Sequence, residues 1–245
     1  MISPVPIDSP PLASTPRCQP SHPPAEPAVP LAVPGAELLL LPEHAVWWPA
    51  ERTLFIADAH VGKAAVFRAR GLPVPEATTG DTLGRLTALL ARHPVRRLVL
   101  LGDFLHAREA HHPQVLGALH DWRARHAAVG MTLVRGNHDS HAGDPPPSLG
   151  IAIVDEPLAL GPLAACHHPQ SVPGATVLAG HWHPTVALSG RGRDGLRLPC
   201  FHHAPGLLVL PAFGAFTGGQ VVRGDADSAQ FAVGAGRVWR LPHGR

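Results

Sequence analysis

Apolar residues in the first half of the chain fall into short runs, at 37–41, 53–57, 99–101 and 131–134, each flanked by polar or glycine residues. Between these runs the spacing changes. Leu83, Leu86, Leu89 and Leu90 share one face of a stretch covering 79–92, and Leu116, Leu119 and Trp122 mark a second stripe of the same period. A repeat of three and four residues is that of a helix packed on one side. Strands alternating with such helices predict a βαβαβ unit built on a parallel sheet. After Asp144 the pattern changes: Pro145, Pro146 and Pro147 interrupt the chain, and the apolar runs at 151–154, 163–166, 176–178 and 207–210 are separated by Gly and Pro with no helical stripe. The second half therefore reads as mostly β.

The 245 residues hold 29 prolines and 25 glycines, and the excess is unevenly placed. Residues 1–34 contain eleven of the prolines, little charge and no apolar period, the composition of a disordered or polyproline-like leader. The reading is thus a leader over 1–34 and a single domain over 35–245. Net charge is +2, and +3 once the leader's Arg17, Asp8 and Glu26 are set aside, which excludes a polycation that wraps nucleic acid by charge alone. The cysteines, Cys18, Cys166 and Cys200, are odd in number and form no CxxC pair, so neither a disulfide framework nor a cysteine zinc site is indicated. No run approaches the length that spans a bilayer. A cytoplasmic protein in a reducing compartment, with no membrane partner, is the expectation.

Eighteen histidines direct attention to metals. The run 53–57 ends in Asp58-Ala59-His60, the run 99–101 in Gly102-Asp103, and the run 131–134 in Arg135-Gly136-Asn137-His138-Asp139. In the second half, 163–166 ends in His167-His168 and 176–178 leads to Gly180-His181-Trp182-His183. Ligands of open α/β sheets bind at the carboxyl edge of the strands, where all these groups would stand. Asp58 with His60, and His181 with His183, are expected to share a face because they lie two apart in extended backbone. Singly, each motif is an ordinary polar strand cap or turn; five of them in order at strand ends are not. Oxygen and imidazole donors together suit Mn, Fe or Zn better than Ca.

These motifs resemble those of the calcineurin-like metallophosphoesterases, DxH, GDxx(D/H), GNHD, a later His and GHxH, over roughly residues 54–221. Asp58-Ala-His-Val-Gly-Lys63, Phe67-Arg-Ala-Arg-Gly71, Gly102-Asp-Phe-Leu-His106, His167-His168-Pro169, Gly180-His-Trp-His-Pro184 and the segment 210–219 are similar to a narrower branch. That branch is PdeM, the bacterial ligase-associated DNA damage response endonucleases. The resemblance implies a four-layer α/β-β/α sandwich, two packed mixed sheets flanked by helices. It implies a pair of divalent cations, Mn first with Fe or Zn as alternatives. Asp58, His60, Asp103 and His183 would hold one, and Asp103, Asn137, His167 and His181 the other. His168 competes with His167, which is preferred as the first polar residue after its strand. His138 would act at the scissile phosphate, oriented by Asp139. Where many members carry a second Asp, this chain has His106.

Such a centre activates water for attack on phosphorus. DNA, as single strands or ends, is the substrate and partner implied, with repair helicases or ligases as further partners. Lys63, Arg68, Arg70 and Arg108 are candidates for the nucleic-acid backbone, each also readable as solvated surface. A phosphatase or pyrophosphatase acting on small nucleotides or other phosphoesters is the alternative, since fold does not fix substrate. Retention of every ligand position argues against a non-catalytic interaction protein.

Overall fold

The computed structural model describes residues 28–63, 78–190, 195–215 and 217–242. Its first sheet has the order β1-β2-β3-β4-β5-β6-β7. Strands β1 (Val29–Val33), β2 (Ala36–Leu41), β3 (Ala45–Trp48) and β4 (Thr53–Ile56) run antiparallel to their neighbours. From β4 onward the sheet is parallel through β5 (Arg97–Leu101), β6 (Gly130–Val134) and β7 (Ile151–Val154). Strand β1 lies inside the stretch assigned to the leader. Its Val29 pairs with Leu40 and its Val33 with Ala36, so backbone pairing outweighs the proline content and the ordered chain begins before residue 35.

The pleat divides the residues of this sheet between two cores. Leu54, Ile56, Leu98, Leu100, Met131 and Leu133 face two helices, α1 (Thr78–Arg92) and α2 (Pro113–Arg125). Leu83, Leu86 and Leu89 of α1 and Val115, Leu119 and Trp122 of α2 are the buried face, as their spacing requires. Trp122 donates its indole N–H to Thr87 Oγ1 at 2.9 Å, so the largest buried ring leaves no polar group unmet. Phe55, Val99, Leu101 and Val134 point the other way, onto the second sheet.

That sheet has the order β14-β11-β12-β13-β10-β9-β8. In chain order its members are β8 (Leu158–Leu160), β9 (Leu163–Ala165), β10 (Thr176–Ala179), β11 (Pro184–Ser189), β12 (Gly195–Ala204), β13 (Leu207–Val209) and β14 (Gln220–Val221). Strand β15 (Ala229–Gly234) joins β12 and is followed by β16 (Arg237–Arg240). Leu163, Leu178, Phe201, Leu208 and Phe231 fill the space between the sheets. The fold is α/β with two packed mixed sheets. Its departure from the expected four layers is local. All described α-helices precede Asp144, and the outer face of the second sheet is covered at Ala164, Cys166, Val177 and Ala179 by a connection carrying Val172 and Ala175. Pro169 and Pro173 leave that crossover unable to form a helix.

Backbone hydrogen bonds tie the sheets together at one rim. Ala57, just past β4, bridges to Ala212 beyond β13, Phe213 N–H donates to Ala57 O at 2.8 Å, and Gly214 N–H donates to Asp58 O at 3.0 Å. The carboxyl ends of β4, β5, β6, β9 and β10 all open on this rim. No described helix is long and apolar enough to cross a membrane. Phe201 lies fully buried between the sheets, whereas Leu196 on the same strand is 55% exposed. Phe201→Ala is expected to cost about 3–5 kcal/mol of stability in urea unfolding, and Leu196→Ala within roughly 0.5 kcal/mol of nothing.

Candidate metal centre

The rim gathers side chains from five strand ends. Asp58, His60, Asp103 and His183 place one donor atom each within 4.8 Å of one another. His183 Nε2 is 3.3 Å from Asp58 Oδ1 and 3.4 Å from His60 Nε2, and His60 Nε2 is 3.9 Å from Asp103 Oδ2. On the other side of Asp103, its Oδ1 is 3.6 Å from His167 Nε2, which lies 2.8 Å from Asn137 Oδ1 and 3.1 Å from His181 Nδ1. The Asp103 carboxylate thus faces two donor groups at once.

Local backbone, rather than strand pleat, creates this convergence. Asp58, His60, Asp103, His181 and His183 all have positive φ, between 44° and 68°. The expectation that the two D/H-x-H pairs share a face through extended backbone is therefore corrected. Each pair sits in a tight turn after its strand, held open by bonds such as His60 N–H to Asp103 O at 2.9 Å and His181 N–H to Asp58 Oδ2 at 3.0 Å. Left-handed backbone at non-glycine residues is costly and persists where the surroundings over-determine it. Two glycines make room. A Cβ on Gly102 would lie 2.1 Å from His167 Nδ1, and one on Gly136 2.4 Å from Asp103 Oδ1.

The donors are tuned as metal ligands require. Burial pushes His60 down to about 2, with the facing His183, Lys63, His106 and His138 adding to the fall. Burial also lowers His167 and His181, so these rings offer neutral nitrogens. In His183 burial is outweighed by the hydrogen bond and charge of Asp58, and its pKa is raised. Burial raises the Asp103 carboxyl against the pull of the His138 N–H. His167 Nδ1 donates to Leu101 O and His183 Nδ1 donates to Gly218 O, both at 3.1 Å. Each ring is thereby fixed with its Nε2 turned into the cluster, that of His183 towards Asp58 Oδ1. Imidazole nitrogens and carboxylate oxygens converge within hydrogen-bond distance in both halves of the site, a donor set that suits a cation.

Around this floor stand the other expected residues. His138 lies at the mouth, its side chain 41% exposed and its Nε2 4.0 Å from Asp103 Oδ2. Its Nδ1 donates to the carbonyl of His106 at 3.1 Å. His106 stacks on His138 with centroids 5.2 Å apart and brings its Nδ1 within 3.3 Å of His60 Nδ1. Asp139 does not orient His138, contrary to expectation. One oxygen accepts the N–H groups of Phe104 and Leu105 and the other that of Gly136, so its carboxylate shapes the loops instead. Burial raises this carboxyl to about 6 despite those donors. The GNHD segment begins a short helix, α3 (Asn137–Ala142), and not the open loop its polar composition indicates.

His167 is fully buried, while His168 turns to Glu156, Nδ1 to Oε1 at 2.7 Å. Sequence reasoning missed Glu156, whose Oε2 also accepts the N–H groups of His167 and His168. Burial acts to raise this carboxyl, but the hydrogen bonds from His168 and the two backbone groups hold it below its ordinary value. Its position after β7, mirroring the other ligand-bearing strand ends, was the available signal. Lys63 is half-buried with its N–H on His60 O at 3.1 Å, and Arg108 is exposed on a single 3-10 turn. Arg68 and Arg70 lie outside the described residues. His202 is buried, and His112 caps α2.

This rim defines a class, the metal-dependent phosphoester hydrolases. Among solved structures the chain is similar to the nuclease MPE of Pseudomonas putida, at 47% identity over 87% of this chain and 100% of that one, with a TM-score of 0.77. At that likeness the chain belongs to the metallophosphoesterase nuclease family. The phosphoesterase Yfce of E. coli is 15% identical over 73% of this chain and 86% of that one, with a TM-score of 0.34, too remote to bear on the site. No protein-family profile and no curated protein matches the chain.

Gly102→Ala would force a methyl into the His167 ring, and its φ of 77° is one that alanine resists. The variant should retain the circular dichroism of the fold while losing roughly tenfold or more in Mn affinity by calorimetry.

Proposed function

We propose that this protein is a dinuclear, manganese-preferring phosphodiesterase that cuts DNA, most readily single strands, and serves DNA repair in the cytoplasm. The observation that carries the reading is the Asp103 carboxylate set between two groups of ligand-type nitrogen and oxygen atoms. Asp58, His60 and His183 with Asp103 Oδ2 would hold one cation, and Asn137, His167 and His181 with Asp103 Oδ1 the second. Two such ions, when bound, supply Lewis-acid activation of water and neutralise charge on phosphate oxygens. The name of the Pseudomonas relative supports a nucleic-acid substrate.

The chain's own residues do the rest. His138, anchored through Nδ1 to the His106 carbonyl, keeps Nε2 free at the open side of the site. From there, once both ring nitrogens carry a proton, the imidazolium donates a hydrogen bond or proton to the phosphate or its leaving oxygen. His106 holds the plane of that ring by stacking, and Asp139 holds the loops that carry both. Lys63 and Arg108 flank the site as contacts for a phosphate backbone.

Asp103→Asn should lose metal and activity together, because one neutral amide cannot bridge both seats. His138→Asn should keep both metals by elemental analysis and slow turnover of single-stranded DNA about 10²–10⁴-fold. If His138→Asn also strips the metals, its placement at the substrate is wrong. Comparing single-stranded DNA, a small diester and a monoester with Mn present should rank the monoester last; a preference for the monoester would favour the phosphatase alternative.

A further inference from the structure

His183 forms one wall of a cavity of about 250 Å³ that also includes His44, Arg85, Ala212, Gly214 and Gly218. This cavity has its own cation. Arg85, reaching across from α1, lies over the Phe213 ring with its guanidinium carbon 4.3 Å from the centroid and donates to the Phe213 carbonyl. Its Nε is buried and meets no acceptor among the described residues. Two carboxylates lie near enough for their charge to reach it, Glu43 and Asp81. Glu43 is committed to Arg92 at 2.5 Å, and Asp81 is exposed at the first turn of α1. A guanidinium that keeps its charge while partly buried, with no ion pair among the described residues, is a receptor for an anion. His44 lines the same space and is tethered, Nδ1 to Ala212 O at 2.8 Å, in a left-handed turn with φ of 65°.

The geometry points to a phosphate subsite here: Arg85 takes the phosphate neighbouring the scissile one on an oligonucleotide strand. The inference rests on the proposed action on DNA and adds to it a named specificity contact. His183 is shared by the metal centre and this cavity, so a strand whose scissile phosphate lies at the centre can present a neighbouring phosphate to Arg85. The cavity offers its charge where a polymer, and not a small ester, presents a second anion. Arg85 is a substrate-binding residue on this reading and takes no part in the bond-breaking step.

Cleavage of a short single strand is compared with that of strands in which the phosphate on one or the other side of the cut is replaced by neutral methylphosphonate. For the wild-type enzyme, one of the two replacements should raise KM about tenfold with kcat nearly unchanged. In Arg85→Gln the unmodified strand should already show that rise, and the methylphosphonate should add less than about twofold, the signature of a contact already lost. Absence of a penalty from either replacement in the wild type overturns the subsite, as does a penalty that survives in full in Arg85→Gln. Should that variant fail to fold, the wild-type arm still decides, and Arg85→Lys must show a reduced penalty. A wild-type enzyme that hydrolyses a small diester yet leaves every single strand intact sinks the DNA reading itself, and the subsite with it.

Discussion

The Asp103 carboxylate is the group around which the site is arranged. Its Oδ1 accepts the His138 N–H at 2.9 Å and faces His167 Nε2 at 3.6 Å, while Oδ2 faces His60 Nε2 at 3.9 Å. With the residue only 2% exposed, its charge is held in a medium where an unpaired carboxylate is expensive. Burial keeps His60, His167 and His181 neutral, and His183, whose pKa is raised, is engaged with Asp58, so these rings do not compensate it. Only cations supplied from outside can, and that is why burial and metal affinity belong to one argument.

Holding Asp103 there requires two sheets in fixed relation, because its partners come from both. Asp58, His60 and Asn137 follow strands of the first sheet, whereas His167, His181 and His183 follow strands of the second. The apolar layer between the sheets sets their separation, and the hydrogen bonds from Phe213 to Ala57 and Gly214 to Asp58 set their register at the rim. Five ligand-type residues adopt left-handed backbone at that seam. Conformations of this kind cost of order 1–3 kcal/mol each, so the core is stabilising a site that is itself strained.

The parallel half of the first sheet was legible because its strands are buried on both faces and its helices carry clean stripes. The carboxyl-edge groups were legible for a related reason: a polar residue that ends a fully apolar strand has few places to go but the rim. Strand β3 was not, since its four residues, AVWW, lie between Pro42 and Pro49 and carry no alternation. The hairpin of β11 and β12 was hidden by Pro184 and Pro199, and β15 and β16 by a pairing with β12 that local sequence cannot report. The role of Asp139 implied by the family resemblance does not match its contacts, because in a helix N-terminus the carboxylate turns back to the backbone. Arg85 was invisible for a different reason, as it acts on Phe213, a residue brought near only by the packing of the two halves.

Burial across the site is graded, and the gradient separates two kinds of work. Asp58 and His167 at the floor are wholly excluded from solvent, while the His138 side chain at the mouth is 41% exposed. Groups that hold ions gain from exclusion of water, which strengthens their field. On the proposed function, a group that meets a polymeric substrate and exchanges a proton with it has to stay accessible. His138 can do so without wandering, because its stacked neighbour His106 and the carbonyl beneath it fix the ring. If the proposed action on DNA holds, rigid support under an open face is what would let a buried ion seat serve a substrate far larger than the seat itself.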